Sequence, residues 1–196
     1  MIADTTFHLP LETLMSALPE TARAEATLAA WEAREAEVRA RCRLTGLGRP
    51  EQFAGRTGMQ VFQAMLAGEI PYPPISDTLG FLLVEAEPGR VQFQGRPQFA
   101  HYNPLGSVHG GWIATLLDSA VACAVHTLLP AGKSYTTLEL KVNYVKALTD
   151  KVPLVRAIGE IIHSGGRIGT SQGQLVGPDG TLFAHATTTC IVLDAR

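Results

Sequence analysis

The stretch from Gly110 to Leu129, GGWIATLLDSAVACAVHTLL, sets the strongest constraint on what this chain can become. It is long enough for several helical turns and apolar on nearly every side, so it must be buried in a bilayer or in a protein core. Asp118, His126 and the two leading glycines make it a poor bilayer span, which leaves a buried helix. Such a helix needs a second layer wrapped round it.

The flanking segments supply that layer. Residues 78–103 predict two strands about the Pro88–Gly89 turn, with Val91, Phe93 and Phe99 at alternate positions of the second. After the helix, residues 134–145 alternate strictly: Thr136, Leu138, Leu140, Val142 and Tyr144 share one face, read as core. Tyr135, Thr137, Glu139, Lys141 and Asn143 share the other, read as polar. Residues 152–165, 167–177 and 181–194 predict further strands, the last two joined at Pro178–Asp179–Gly180, a hairpin signal. Two strands, one long helix and then three or four strands define an α+β fold, with an antiparallel sheet of five to six strands wrapped around one central helix.

The first part of the chain is of another kind. Residues 20–42 are rich in Ala, Glu and Arg and predict a helix with Leu28 and Trp31 toward one side. Its alanine-rich face is too thin for a core of its own, so it must dock on the main domain or on a partner subunit. Residues 45–58 read as a linker, residues 58–68 as a short helix, and EIPYPPIS as an extended passage enforced by its prolines. The division is a helical extension and linker over 1–58 and a main domain over 59–196.

Composition excludes several partners. With 16 basic against 18 acidic residues and no basic run, nothing offers a footprint for nucleic acid or an anionic membrane. Cys42, Cys123 and Cys190 form no C-x-x-C pair and the six histidines no ligand spacing, so neither a disulfide framework, a metal site nor a cofactor is expected. The first residues, MIADTTFHLPLETLM, lack the basic and apolar regions of an export signal, and the expectation is a cytoplasmic protein.

Asp118 and the glycines carry the chemistry. A buried carboxylate is costly unless paired, protonated or set in a cleft where it reacts. Gly110 and Gly111 at a helix start leave backbone N–H groups uncovered at the positive end of the dipole, where a carbonyl oxygen turning negative during acyl transfer can sit; a tight turn or close packing would also use them. Asp118 lies eight residues after Gly110, about 12 Å along a helix axis. One reacting carbon cannot lie within about 3 Å of both. If both serve one reaction, they come from different subunits, which requires a dimer.

The segment NPLGSVHGGWIATLLDSA resembles the signature of the hotdog-fold acyl-CoA thioesterases of the phenylacetyl-CoA thioesterase (PaaI-like) branch, and the resemblance extends over roughly residues 59–194. It implies a curved antiparallel sheet around a helix, a dimer with one continuous sheet, dimers often paired into tetramers, and active sites at the dimer interface. It implies that Asp118 acts as nucleophile or general base, that the Gly110 N–H polarises the thioester carbonyl, that Asn103 lies near that carbonyl and that His109 shapes the turn. Thr137 matches a residue that positions water or the acid. Gly111 and Trp112 then fall beside the substrate, and Arg167 can reach a CoA phosphate, although a solvated strand-edge charge is an equal reading. Phe99, Tyr102 and Tyr135 are further candidates for an acyl pocket, while His126 is read as facing packing or solvent. The helix over 20–42 becomes a dimer or tetramer clamp, or a lid over the acyl entrance. A non-catalytic acyl-CoA-binding module and a hydratase or dehydratase on the same fold stay open as alternatives.

Overall fold

A computed structural model describes residues 19–42 and 44–195. The N-terminal stretch read above for export signals lies outside the described residues. In chain order the elements are α1 (Glu20–Arg41), α2 (Pro50–Phe53), α3 (Gly58–Leu66), α4 (Pro74–Leu79), β1 (Phe81–Glu87), β2 (Arg90–Gly95), a short 3-10 turn (Phe99–His101), α5 (Gly110–His126), β3 (Lys133–Tyr144), β4 (Val155–Ser164), β5 (Ile168–Val176) and β6 (Leu182–Asp194). The strands form one antiparallel sheet in the order β1-β2-β4-β5-β6-β3, and α5 packs across it. This is the hotdog arrangement expected from the sequence.

Burial of α5 accounts for its composition. Leu116, Leu117, Ala120, Val121, Ala124 and Val125 are fully enclosed. The sheet comes unusually close because it presents glycine beneath the helix. A Cβ on Gly159 of β4 would stand 2.1 Å from the Ala120 carbonyl oxygen, and one on Gly173 of β5 2.6 Å from the Val121 side chain. Ser171 donates to the Val121 carbonyl at 2.6 Å from the same surface.

Three sequence expectations need correction. Phe99 is not a strand residue: β2 stops at Gly95, ahead of Pro97, and Phe99 stands exposed in the following turn. The passage through Pro71, Pro73 and Pro74 is not extended throughout, because Pro74 opens the short helix α4, where its missing N–H costs nothing. Likewise the linker contains α2, again opened by a proline. The third concerns β3. A bulge between Thr137 and Glu139 shifts its register against β6 and breaks the alternation. Tyr135 and Thr137 therefore turn toward α5, Leu138 is exposed, and Leu140 and Val142 pack inward beyond the bulge.

Helix α1 docks on the main body, on the sheet face opposite α5. Gly95 and Gly159 point at α5, so the neighbouring positions Gln94, Arg156 and Gln92 point away from it. There they meet α1 in a buried polar chain. Gln94 donates to Glu35 at 3.0 Å, and Arg156 donates to Gln94 at 2.9 Å and to Gln92 at 3.1 Å. The Arg156 guanidinium also lies 4.7 Å from the Trp31 ring. Val38 of α1 is buried, and Arg34 donates to the Val84 carbonyl at 2.8 Å. Of the two sequence features noted on this helix, Trp31 thus takes part in docking.

The close approach at Gly159 makes a stability prediction. Gly159→Ala should cost about 1–3 kcal/mol, because the added methyl meets backbone that cannot yield. Gly166→Ala, where a Cβ meets nothing within 4 Å, should stay within about 0.5 kcal/mol of wild type. Urea unfolding of the two variants beside the parent checks both.

Candidate active site

The start and the middle of α5 carry two different chemical groups. At its start, His109 caps the helix, its Nδ1 accepting the Gly111 N–H at 2.9 Å. The Trp112 N–H goes to the His109 carbonyl at 3.0 Å. Gly110 is left as the first-turn amide with no partner among the described residues, at the positive end of the dipole. The Tyr144 hydroxyl donates to the Gly110 carbonyl at 3.0 Å, and its ring sits where a Cβ on Gly110 would go, so glycine is required there. Around this turn Asn103, Ser107, Gly110, Ile113, Tyr144 and Lys146 line an open cavity of about 320 Å³.

Asn103 builds the loop that leads into the turn. Its Oδ1 accepts from the Leu105 N–H at 2.9 Å and the Ser107 N–H at 3.3 Å, while its Nδ2 donates to Ser107 Oγ at 3.1 Å. This is an Asx-type turn, in which the side chain stands in for backbone. The His109 N–H donates to the His101 carbonyl at 2.7 Å, which ties the helix start to the 3-10 turn.

Two turns further along, Asp118 accepts a hydrogen bond from the Thr137 hydroxyl at 3.2 Å. The bulge in β3 aims Thr137 at the helix. Asp118 opens on a second cavity of about 380 Å³, walled by Ser119, Cys123 and His126 of α5, by Tyr135 and Thr137 of β3, and by Val61, Phe62 and Met65 of α3. His126 packs, as the sequence suggested, and one side of it also lines this space. Its ring meets Phe62 edge-on at 5.1 Å and Tyr135 at 4.9 Å. Burial pushes its imidazole down to about 4, so it is neutral at physiological pH. Burial also raises the Cys123 thiol to about 12 and the Tyr135 phenol well above its ordinary range, so neither supplies an anion.

The structure separates the remaining expectations. Thr137 and Asp118 come together, as do His109, Gly110 and Asn103. Gly111 donates its amide to His109, and Trp112 points into the core, with Nε1 donating to the Leu79 carbonyl at 2.8 Å and its ring stacked on His101 at 4.9 Å. Neither lies at the Asp118 cavity. Tyr102 is held by Asp150 through hydrogen bonds of 2.8 and 3.0 Å. Arg167 is exposed in the turn between β4 and β5, two residues from Gly169, whose strand position pairs with Cys190 and, through it, Thr137. Among the described residues no cluster of His, Cys, Asp and Glu suits a metal ion, and no helix is long and apolar enough to cross a membrane. Sequence reasoning missed Tyr144, which carries no local signal, and His126, whose spacing of eight from Asp118 was such a signal.

A thioesterase superfamily model matches residues 105–184, the stretch that runs from the Asn103 loop through α5 into β6. A candidate esterase of Halobacterium salinarum is 29% identical over 119 residues, 58% of this chain and 76% of its own length. Among solved structures, a candidate thioesterase of Ralstonia eutropha, related to phenylacetic acid degradation, is 31% identical. It aligns with a TM-score of 0.61 over 66% of this chain and 98% of that one. A mutant form of the phenylacetic acid degradation protein PaaI of Thermus thermophilus is 27% identical, with a TM-score of 0.54 over 60% and 97% of the two chains. The chain belongs to the thioesterase superfamily of hotdog proteins.

The depressed His126 makes a prediction about stability. The folded protein keeps this imidazole neutral while the unfolded chain binds a proton below about pH 6.5, so the unfolded state holds more protons between about pH 6.5 and 4. Stability from this residue is present above that window and is lost as pH falls through it. Denaturation midpoints measured across the window should fall less steeply in His126→Phe than in the parent.

Proposed function

We propose that the protein hydrolyses an acyl-CoA thioester to a carboxylic acid and CoA, at a site built by two copies of the chain. The observation that carries this reading is the division of the site along α5. A carboxylate held by Thr137 lies at one point, and the Gly110 N–H, without a partner among the described residues, lies eight residues before it, about 12 Å along the axis. Membership of the superfamily and the likeness to the Ralstonia eutropha protein support it.

The sheet offers the means of joining the two halves. Among the described residues β3 is an edge strand over Lys133–Tyr144, paired with β6 on one side and with no strand on the other, and Leu138 and Tyr144 on it and Val145 just after it are exposed apolar residues. Antiparallel pairing of β3 with a second copy about a two-fold axis sets the Tyr144 end of one strand beside the Lys133 end of the other. The Gly110 cavity of one subunit then faces the Asp118 cavity of its partner.

The chemistry follows from a thioester's activated carbonyl and good leaving group. Asp118 acts either directly as nucleophile or by taking a proton from water, whose oxygen then attacks the carbonyl carbon. The Gly110 N–H of the partner subunit receives the oxygen as it becomes negative. Collapse of the tetrahedral adduct breaks the C–S bond, and the thiolate leaves with the CoA and takes up a proton. On the direct route the first product is an acyl-aspartyl anhydride, which water hydrolyses. Thr137 holds one carboxylate oxygen and leaves the other for the reaction. Asn103 and His109 set the shape of the glycine turn, and Arg167 at the rim suits a CoA phosphate.

Two outcomes test this. Asp118→Asn should lower kcat for release of free CoA thiol by about 10²–10⁴-fold. Gly110→Pro removes the amide proton at the first helical position, at the cost of displacing the Tyr144 ring that fills the space of its Cβ, and should also be inactive. Coexpressing the two inactive chains should restore about a quarter of wild-type activity, because half the dimers are mixed and each holds one intact site. No recovery in verified mixed dimers would place both groups in sites of single chains.

A further inference from the structure

The Asp118 cavity extends beyond the reacting groups, and Val61, Phe62 and Met65 in its wall come from α3, outside the stretch matched by the family model. We infer that α3 fixes the length of acyl group the protein accepts, with the Phe62–His126 contact as the stop. This rests on the thioesterase reading above.

One face of α5, through Asp118, Ser119, Ala122, Cys123 and His126, forms the floor of the cavity. Asp118 and His126 are eight residues apart, about 12 Å along the axis. With the thioester carbon about 3 Å from the carboxylate and van der Waals contact at the far end, the acyl group has a reach of roughly 6–9 Å. Phe62 closes that end, packed edge-on against His126 at 5.1 Å.

The stop is rigid. Thr57 and Gln60 cap the start of α3 in both directions, at 3.3 and 2.9 Å. The Gly58 N–H donates to the Leu129 carbonyl at 3.0 Å, and a Cβ on Gly58 would stand 1.8 Å from the His126 carbonyl oxygen. The first turn of α3 is thereby pressed against the end of α5. Beyond Asp118 the cavity presents the neutral His126, aromatic rings and aliphatic side chains, with no cationic side chain among its lining residues. A second carboxylate at the far end of the acyl group would lie in an apolar space without a counter-charge. The accepted acyl group is therefore apolar, of medium length and uncharged at its end.

The test is a series of straight-chain acyl-CoAs from butanoyl to tetradecanoyl, with glutaryl-CoA added. Thiol release gives kcat/KM, and calorimetric affinity is measured on Asp118→Asn to suppress turnover. Wild type should show an optimum at medium length and reject glutaryl-CoA. Phe62→Ala should move the optimum of kcat/KM and of affinity to chains longer by at least two carbons, with a gain of about tenfold or more for those chains. Phe62→Leu, which retains more packing, should give a smaller shift in the same direction and decides the matter if the alanine variant does not fold. An unchanged length profile in a folded Phe62 variant overturns this inference and leaves the reaction intact. No turnover by wild type overturns the thioesterase reading, while the affinity profile still reports whether α3 sets the length.

Discussion

The contact between α5 and the glycine surface of the sheet is the constraint on which the rest depends. A helix that is apolar on nearly all sides can be held only by a layer that follows it closely, and Gly159 and Gly173 bring β4 and β5 within a side chain's radius of its backbone. With the helix fixed at that depth, the Gly110 amide and the Asp118 carboxylate are fixed as well. The Gly110 amide emerges at one end of the sheet, and Asp118 emerges where β3 crosses it. Any relaxation of this packing would move both relative to the strands that complete them.

The setting of Asp118 depends on a local irregularity of β3. A regular β3 would turn Thr137 away from the helix, together with the other polar residues of its alternation. The bulge before Glu139 adds one residue to the strand, and the inward face then passes from Tyr135 and Thr137 to Leu140 and Val142. The same strand thus supplies a hydroxyl partner to the carboxylate, an aromatic wall to the cavity and aliphatic side chains to the core.

The chain before the sheet divides its work between two helices. α1 lies on the sheet face away from α5, where it encloses Glu35, Gln94 and Arg156 in mutual hydrogen bonds, and it forms no part of the Asp118 cavity. Within one chain the long helix therefore does not cover the Asp118 cavity. The short α3, with little amphipathic length of its own, is the element that reaches the cavity. Sequence favours the longer helix because propensity accumulates with length, whereas a cavity wall is decided by where a segment docks.

By itself the sequence determined the order of the strands about the buried central helix, the hairpins and the identity of Asp118, Gly110 and His109 as residues whose chemistry needs explaining. It also separated Asp118 from Gly110 by a fixed rise, which requires a second chain if one reaction uses both. These are local quantities: periodicity, turn chemistry and the pitch of a helix. Tertiary structure alone decided the bulge in β3, the inward turn of Thr137 and the placing of Trp112 in the core. It also decided that α3 packs on His126 at the edge of a cavity. Each of these depends on which surfaces meet after folding, and residues distant in sequence carry no local signal of that meeting.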